Sequence, residues 1–258
     1  MIPILFILVF CVAILFSMLG LGGGILYVPI FLQAGLPFQE AAATSLSIIA
    51  VMSLTATFVY HRAKLVDWKI VLLLEPFTIL GAFIAGYFSD FFPIKTLKII
   101  FSCVALLSAV LMLRTPKKRI IDSNKKRFGF IHRKKDGDEY HINLWAGIPL
   151  AFIAGYISVL LGIGGGFAKV PMMTLVFGVS TSVAVATSAA MIVITALTGL
   201  YGYAAAGHVN INLSLILAVA VFLGGLVGSK ISVKADRRFI SIIFSIILVI
   251  IAVWMILS

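Results

Sequence analysis

Hydrophobic residues fall into long runs at about 2–19, 38–60, 70–89, 96–113, 144–161, 181–205, 211–229 and 239–257. Each approaches the roughly 20 apolar residues that a helix needs to cross a bilayer. An 18-residue helix is about 27 Å long, close to the hydrocarbon thickness. The pattern predicts an all-α polytopic membrane protein with about eight transmembrane helices. Two shorter apolar pieces, 25–33 and 167–177, are too short to cross, and each follows a cluster of glycines. The first run has no basic leader and no A-x-A-like cleavage site, so it is expected to stay in the mature protein.

The chain repeats itself. Gly20-Leu21-Gly22-Gly23-Gly24 followed by Pro29 returns as Gly162-Ile163-Gly164-Gly165-Gly166 followed by Pro171, an offset of 142. After a slip of one residue, Ala43-Thr44-Ser45 matches Ala186-Thr187-Ser188, Tyr60 matches Tyr203 and Asp67 matches Asn210. Ala82 and Gly86 then match Gly224 and Gly228 if the slip closes again. The expected organisation is four plus four spans with a glycine-broken element in each half. Residues 1–113 form the first repeat, 114–143 a basic linker and 144–258 the second repeat. Internal repeats are a recurring construction in secondary transporters.

Composition agrees with the pattern. The chain has 258 residues, 62% apolar and 11% charged, with a mean hydropathy of +1.19. A soluble domain carries about 45–50% apolar and about 25% charged residues. A water-soluble globule and a disordered chain are both excluded. The net charge is +11, but ten of the 20 Lys and Arg residues lie between Arg114 and Asn143 with no stacking or base-reading pattern around them. That cluster reads as a cytoplasmic loop obeying the positive-inside rule, not as a nucleic-acid site. With the linker inside, an eight-span topology puts both termini in the cytoplasm. Thirteen basic residues then lie inside, Arg62, Lys64 and Lys69 among them, and six outside. Lys230, Lys234, Arg237 and Arg238 run against this orientation.

Candidate chemistry gathers around the glycine clusters. Three glycines in a row cost about 3 kcal/mol of helix propensity and free backbone N–H groups. Irregular backbone at membrane depth is tolerated only against protein or a water-filled cavity. A helix restarting at Ile25 or Phe167 would aim its N–H groups at that cavity and attract anions. Close helix packing is the competing explanation. The residues expected to bind a small anionic substrate are Gly22, Gly23, Gly24, Gly164, Gly165 and Gly166, with the hydroxyls of Thr44, Ser45, Thr187 and Ser188. Lys169 joins them as the only lysine or arginine between Asn143 and Lys230. An intramembrane charge is a functional candidate, although a lysine also snorkels to the interface. Glu75, inside the third run, is a candidate carrier of a coupling proton or ion, with an interfacial position as the alternative. Asp67, His61 and His208 read as loop residues.

No H-E-x-x-H zinc motif, G-x-S-x-G elbow or Walker A sequence occurs. Cys11 and Cys103 are too few and too far apart for a metal or redox site. The expectation is no metal, no cofactor and no enzymatic activity.

The paired motifs G-L-G-G-G-I-L-Y-V-P (20–29) and G-I-G-G-G-F-A-K-V-P (162–171), each followed by A-T-S, resemble the sulfite exporter TauE/SafE family, also called the 4-toluene sulfonate uptake permease family. The resemblance covers essentially the whole chain. It implies transport of sulfur-containing anions such as sulfite or sulfonates, in either direction. The expected function is a secondary transporter of such an anion in the cytoplasmic membrane. An anion channel, a non-transporting membrane subunit and an intramembrane enzyme are the alternatives. Partners are the substrate, the bilayer and a coupling ion, and the oligomeric state is left open.

Overall fold

The computed structural model describes residues 2–113, 129–135, 138–233 and 249–255. It is a bundle of helices with one small hairpin. The helices are α1 (Ile2–Leu19), α2 (Gly24–Gln33), α3 (Phe38–Arg62), α4 (Trp68–Tyr87), α5 (Ile94–Leu113), α6 (Leu144–Leu160), α7 (Gly166–Pro171), α8 (Thr181–Ala205) and α9 (Ile211–Ser232). Met172–Val176 extends α7 as a turn of π-helix. Strands β1 (Phe130–Lys135) and β2 (Asp138–Asn143) pair antiparallel. Residues 249–255 are helical.

Seven of the eight long apolar runs thus begin and end within about three residues of a helix's ends. The eighth, 239–257, lies outside the described residues except for 249–255. Among the described residues, five helices are long and apolar enough to cross a membrane: α3, α4, α5, α8 and α9. α1 and α6 are apolar but shorter.

Local chemistry sets the boundaries. Asp67 caps α4 by accepting from the Lys69 N–H at 2.9 Å. Asn210 caps α9 by accepting from Leu213 N–H at 3.1 Å. Asn143 caps α6 through the N–H groups of Trp145 and Ala146. In each case a side-chain oxygen satisfies donors that the first turn leaves free. Both glycine clusters break the helix through left-handed backbone, with φ of +64°, +89° and +87° at Gly20, Gly22 and Gly23, and +68°, +85° and +78° at Gly162, Gly164 and Gly165. Side chains with a Cβ rarely adopt this conformation.

The two longest helices, α3 and α8, pack against each other at the centre. Their most apolar windows are 72% buried, against 39% for α5 and α9. Around them α1 packs on α9, and α4 on α6. A Cβ on Gly224 would strike Ala13 and Phe10, and one on Gly228 would strike Ile14 and Ser17. Residue numbers rise together, so α1 and α9 run in the same direction. The α4–α6 pair behaves alike. Leu72, Leu80 and Phe83 on α4, and Leu215, Val219 and Phe222 on α9, are exposed apolar side chains that suit lipid.

One sequence match moves by a residue. Gly81 sits against the Phe152 carbonyl and Tyr156 N, and Gly224 against the Phe10 carbonyl and Ile14 N. Phe10 and Phe152, like Ile14 and Tyr156, are 142 apart, so Gly224 plays the role of Gly81, not of Ala82. The slip between the repeats therefore stays open at 143, and the counterpart of Glu75 is Ala218.

The basic linker contains ordered structure that its charge pattern did not suggest. Residues 114–128 lie outside the described residues, but 130–135 and 138–143 pair as the two strands of a hairpin that leads directly into α6.

Candidate substrate site

The glycine breaks meet at the centre of the molecule. A Cβ on Gly22 would stand 3.3 Å from the Gly164 Cα, and one on Gly164 would stand 3.4 Å from the Gly22 Cα. Gly24 abuts the backbone of Gly162 and Ile163, and Gly166 abuts that of Gly20 and Leu21. At these positions the lack of a side chain permits backbone-to-backbone packing. The A-T-S serines lock the arrangement crosswise. The Ser45 hydroxyl donates to the Gly162 carbonyl at 2.7 Å, and the Ser188 hydroxyl donates to the Gly20 carbonyl at 2.9 Å. Tyr60 and Tyr203 similarly satisfy carbonyls at the ends of α1 and α6, on Ser17 and on Val159 and Leu160.

The threonines differ. The Thr187 hydroxyl accepts from the Asp67 N–H at 2.9 Å. The Thr44 hydroxyl is buried and has no hydrogen-bond partner among the described residues. Ser47 only bonds back to the Ala43 carbonyl of its own helix.

Lys169 is fully buried, at 0% exposure, and Glu75 is 2% exposed. They are paired: Lys169 Nζ lies 3.2 Å from Glu75 Oε2. Burial inside protein overturns both alternatives raised by the sequence, a snorkelling lysine and an interfacial glutamate. Thr195 completes the cluster. Lys169 Nζ donates to Thr195 Oγ1 at 2.6 Å, and Thr195 Oγ1 lies 2.6 Å from Glu75 Oε1 and 3.0 Å from the Met191 carbonyl. Helices α4, α7 and α8 thus each contribute one member. Pairing with hydrogen bonds is what a buried charge requires.

Ser158, at the end of α6, is buried and its hydroxyl has no partner among the described residues. A Cβ on Gly165 would stand 3.0 Å from Ser158 Oγ and 3.6 Å from Lys169 Cε. The free hydroxyl and the lysine therefore border the same point beside the break.

Thr195 and Ser158 carried no motif and were missed in the sequence. The repeat held the only signal. Thr195 stands where the first half has Met52, and Ser158 where it has Phe16, so each is a polar replacement of an apolar side chain at a matched position.

Asp67 lies in a loop, as its position suggested, but it is 1% exposed and holds the hairpin. Arg133 Nη2 lies 3.1 Å from Asp67 Oδ1, and the Tyr140 hydroxyl donates to Asp67 Oδ2. Burial pushes the Asp67 carboxyl up, but the hydrogen bonds from Tyr140, Arg133 and the Lys69 N–H outweigh it and hold it below the usual carboxylate range. The Tyr140 phenol is raised by burial and by the carboxylate it serves.

Comparison with known proteins gives the family. The sulfite exporter TauE/SafE family matches residues 5–255. The probable membrane transporter protein YunE of Bacillus subtilis is 34% identical over 91% of this chain and 90% of its own. A probable membrane transporter protein of Methanocaldococcus jannaschii is 28% identical over 100% of this chain and 96% of its own. No solved structure matches. A multi-pass chain with two glycine-broken elements and a match across nearly its full length, it belongs to the sulfite exporter TauE/SafE family.

Proposed function

We propose that this protein is a secondary transporter of a small sulfur-containing anion, such as sulfite or a sulfonate, across the cytoplasmic membrane. The observation that carries this reading is the lysine sealed inside the bundle beside a glycine break, in a chain of a membrane-transport family. An ammonium in that setting attracts an anion far more strongly than it would in water, although desolvation offsets part of the gain.

The substrate-binding set is Lys169, the glycines at 22–24 and 164–166, and the hydroxyls of Thr44, Ser45, Thr187 and Ser188. Ser45 and Ser188 would act by holding the breaks in place, since their hydroxyls already serve backbone carbonyls. Glu75 is the coupling group. The architecture in this reading is two halves of four long helices, each with a short element, α2 or α7, after its glycine break. Helix α1 begins at the Glu40–Asn210 end of the bundle and the linker hairpin sits at the opposite, Asp67 end, so a cytoplasmic linker puts the N-terminus on the other face, against the expectation that both lie inside. Thr187, early in α8, meets Asp67 just beyond the end of α3, and Glu40, in the first turn of α3, meets Asn210 just beyond the end of α8, so the counterparts α3 and α8 run antiparallel, which supports two repeats of inverted orientation.

Counterflow of labelled sulfite and of a labelled sulfonate in proteoliposomes tests the function. The expected result is saturable, trans-stimulated exchange. Lys169→Met should raise the dissociation constant about tenfold to a hundredfold, the equivalent of losing one charge-assisted hydrogen bond. Conduction without saturation would establish a channel instead, and no flux of any anion would point to a non-transporting subunit.

A further inference from the structure

We propose that Glu75 is the resident counter-anion of Lys169, displaced by the transported anion, and that its carboxylate takes up one proton for each monovalent anion bound. This rests on the transporter reading of the site and adds the coupling ion and the reason for coupling.

The geometry sets the problem. An anion approaching Lys169 finds the ammonium already engaged by Glu75 Oε2 and Thr195 Oγ1. Two anions and one cation in a site this buried would leave an uncompensated negative charge. A proton on Glu75 removes it. The empty and loaded states then carry the same net charge, one with the Lys169–Glu75 pair and the other with Lys169, a neutral Glu75 and the anion.

Thr195 is built to serve both states. Its hydroxyl has one hydrogen and two acceptors in reach, Glu75 Oε1 at 2.6 Å and the Met191 carbonyl at 3.0 Å. With Glu75 ionised, Thr195 donates to the carboxylate. With Glu75 protonated, the acid O–H donates to Thr195 Oγ1, and Thr195 turns its own hydrogen to Met191. All the groups stay paired without backbone movement. Ser158 supplies the second observation. A buried hydroxyl without a partner is costly. This one borders the same point as Lys169 and would donate to the anion there.

The surroundings leave Glu75 as the acid that must respond. Helices α6 and α8, packed on α4, contain no charged residue, and their titratable groups are Tyr156, Tyr201 and Tyr203. α7 contributes Lys169. α5, packed on α7, contributes Lys95 and Lys98, and Lys69 lies in the first turn of α4. The proton comes from the aqueous phase from which the anion arrives. It adds to the Glu75 carboxylate to give the acid, Lys169 remains an ammonium throughout, and release of the anion reverses both changes. The result is electroneutral symport of a proton with a monovalent anion.

Calorimetric titration of the purified full chain with methanesulfonate tests this, because the charge of that anion is constant across the working range. Titration in two buffers of different ionisation enthalpy counts protons. The expected count is one proton taken up per anion where Glu75 is ionised in the empty protein, with a dissociation constant that rises about tenfold per pH unit there. Binding without proton uptake would overturn the proposal and leave the transporter reading intact. Glu75→Gln should bind methanesulfonate with a pH-independent constant; a variant that kept the wild-type pH slope would overturn the proposal equally. If Glu75→Gln does not fold, the proton count on the wild-type protein decides alone. Ser158→Ala should weaken binding about threefold to tenfold with the proton count unchanged, and unaltered affinity would remove Ser158 from the site. If the wild-type protein binds none of methanesulfonate, sulfite, sulfate and chloride, the transporter reading falls and the coupling with it.

Discussion

The surroundings of the two glycine breaks differ in chemistry on matched backbone. Beside the first, Tyr27 stacks with Phe16 and Phe31, with ring centroids 6.5 and 6.3 Å away, and its hydroxyl donates to the Met52 sulfur at 3.6 Å. Beside the second, the matched positions hold Lys169, Ser158, Met173 and Thr195, and Glu75 stands where the other half has Ala218. The first set fills its space with rings and a thioether. The second keeps one thioether, Met173, and otherwise holds an ammonium and two hydroxyls, with a carboxylate where the other side has Ala218. Conserving one framework while concentrating the charge on one side gives a single ion site held by a paired scaffold. An ionic cluster is not needed to hold this backbone geometry, because the first half builds the same break without one.

The sharpest way to break the comparison is to make the polar positions around the second break copies of those around the first. Glu75→Ala alone leaves Lys169 buried and unpaired and should destabilise the protein by about 3–5 kcal/mol. Adding Lys169→Tyr, Thr195→Met and Ser158→Phe should recover most of that loss, because apolar replacement of a buried ion pair is often neutral or stabilising. The fourfold variant should nevertheless transport nothing. Unfolding in denaturant and liposome counterflow report the two quantities separately. A fourfold variant less stable than Glu75→Ala would mean that the halves are not interchangeable frameworks.

The glycines come next. Gly23→Leu and Gly165→Leu should each abolish transport while the protein still reaches the membrane fraction. Both positions are left-handed, and a side chain there carries a strain of about 1–2 kcal/mol. At Gly165 the new side chain enters the space between Ser158 and Lys169. At Gly23 it strikes the Tyr27 ring, 2.6 Å from the Cβ position. Normal transport in either variant would take that break out of the site.

A smaller and more even effect is expected from the crossed serines. Ser45→Ala and Ser188→Ala each strip one buried carbonyl of its donor, worth about 1–3 kcal/mol. Thermal unfolding should lower both variants by nearly the same amount, since the two bonds are counterparts. A clear inequality would show that the breaks carry unequal loads.

Much of this was legible along the chain. Runs of apolar residues mark helices by length alone, and the glycine clusters repeat at a fixed offset, so the elements and the breaks could be read directly. Lys169 and Glu75 stood out because charge is rare in such runs. Their pairing was not legible. They are 94 residues apart, on elements whose packing only the fold decides. Thr195 and Ser158 were invisible because single hydroxyls are common in apolar helices, where most bond back to their own turn. Asp67 looked like a loop residue because the partners that bury it come from the linker, whose charge suggested nothing but solvent.

That linker gives the mildest contrast between the halves. Asp67 and Asn210 are matched helix caps, but Asn210 donates to Glu40 at 2.8 Å, whereas Asp67 receives the hairpin through Arg133 and Tyr140. The Asp67 carboxyl is held below its ordinary value in the folded protein, so the stabilisation it contributes is fully present above the unfolded value of about 4. It is lost as pH falls through the lower folded value. Tyr140→Phe removes one of the bonds that lowers it. The variant should therefore be less stable than the wild-type protein at neutral pH, and the gap should narrow only below about pH 4, as the carboxylate is neutralised in both. The matched change Asn210→Ala removes a cap with no ionisable group of its own, and its deficit should vary less across the same range. Thermal unfolding of both variants between neutral and acidic pH measures this. A Tyr140→Phe gap that stayed constant down to the lowest pH would mean that the hairpin is held by packing and not by the Asp67 carboxylate.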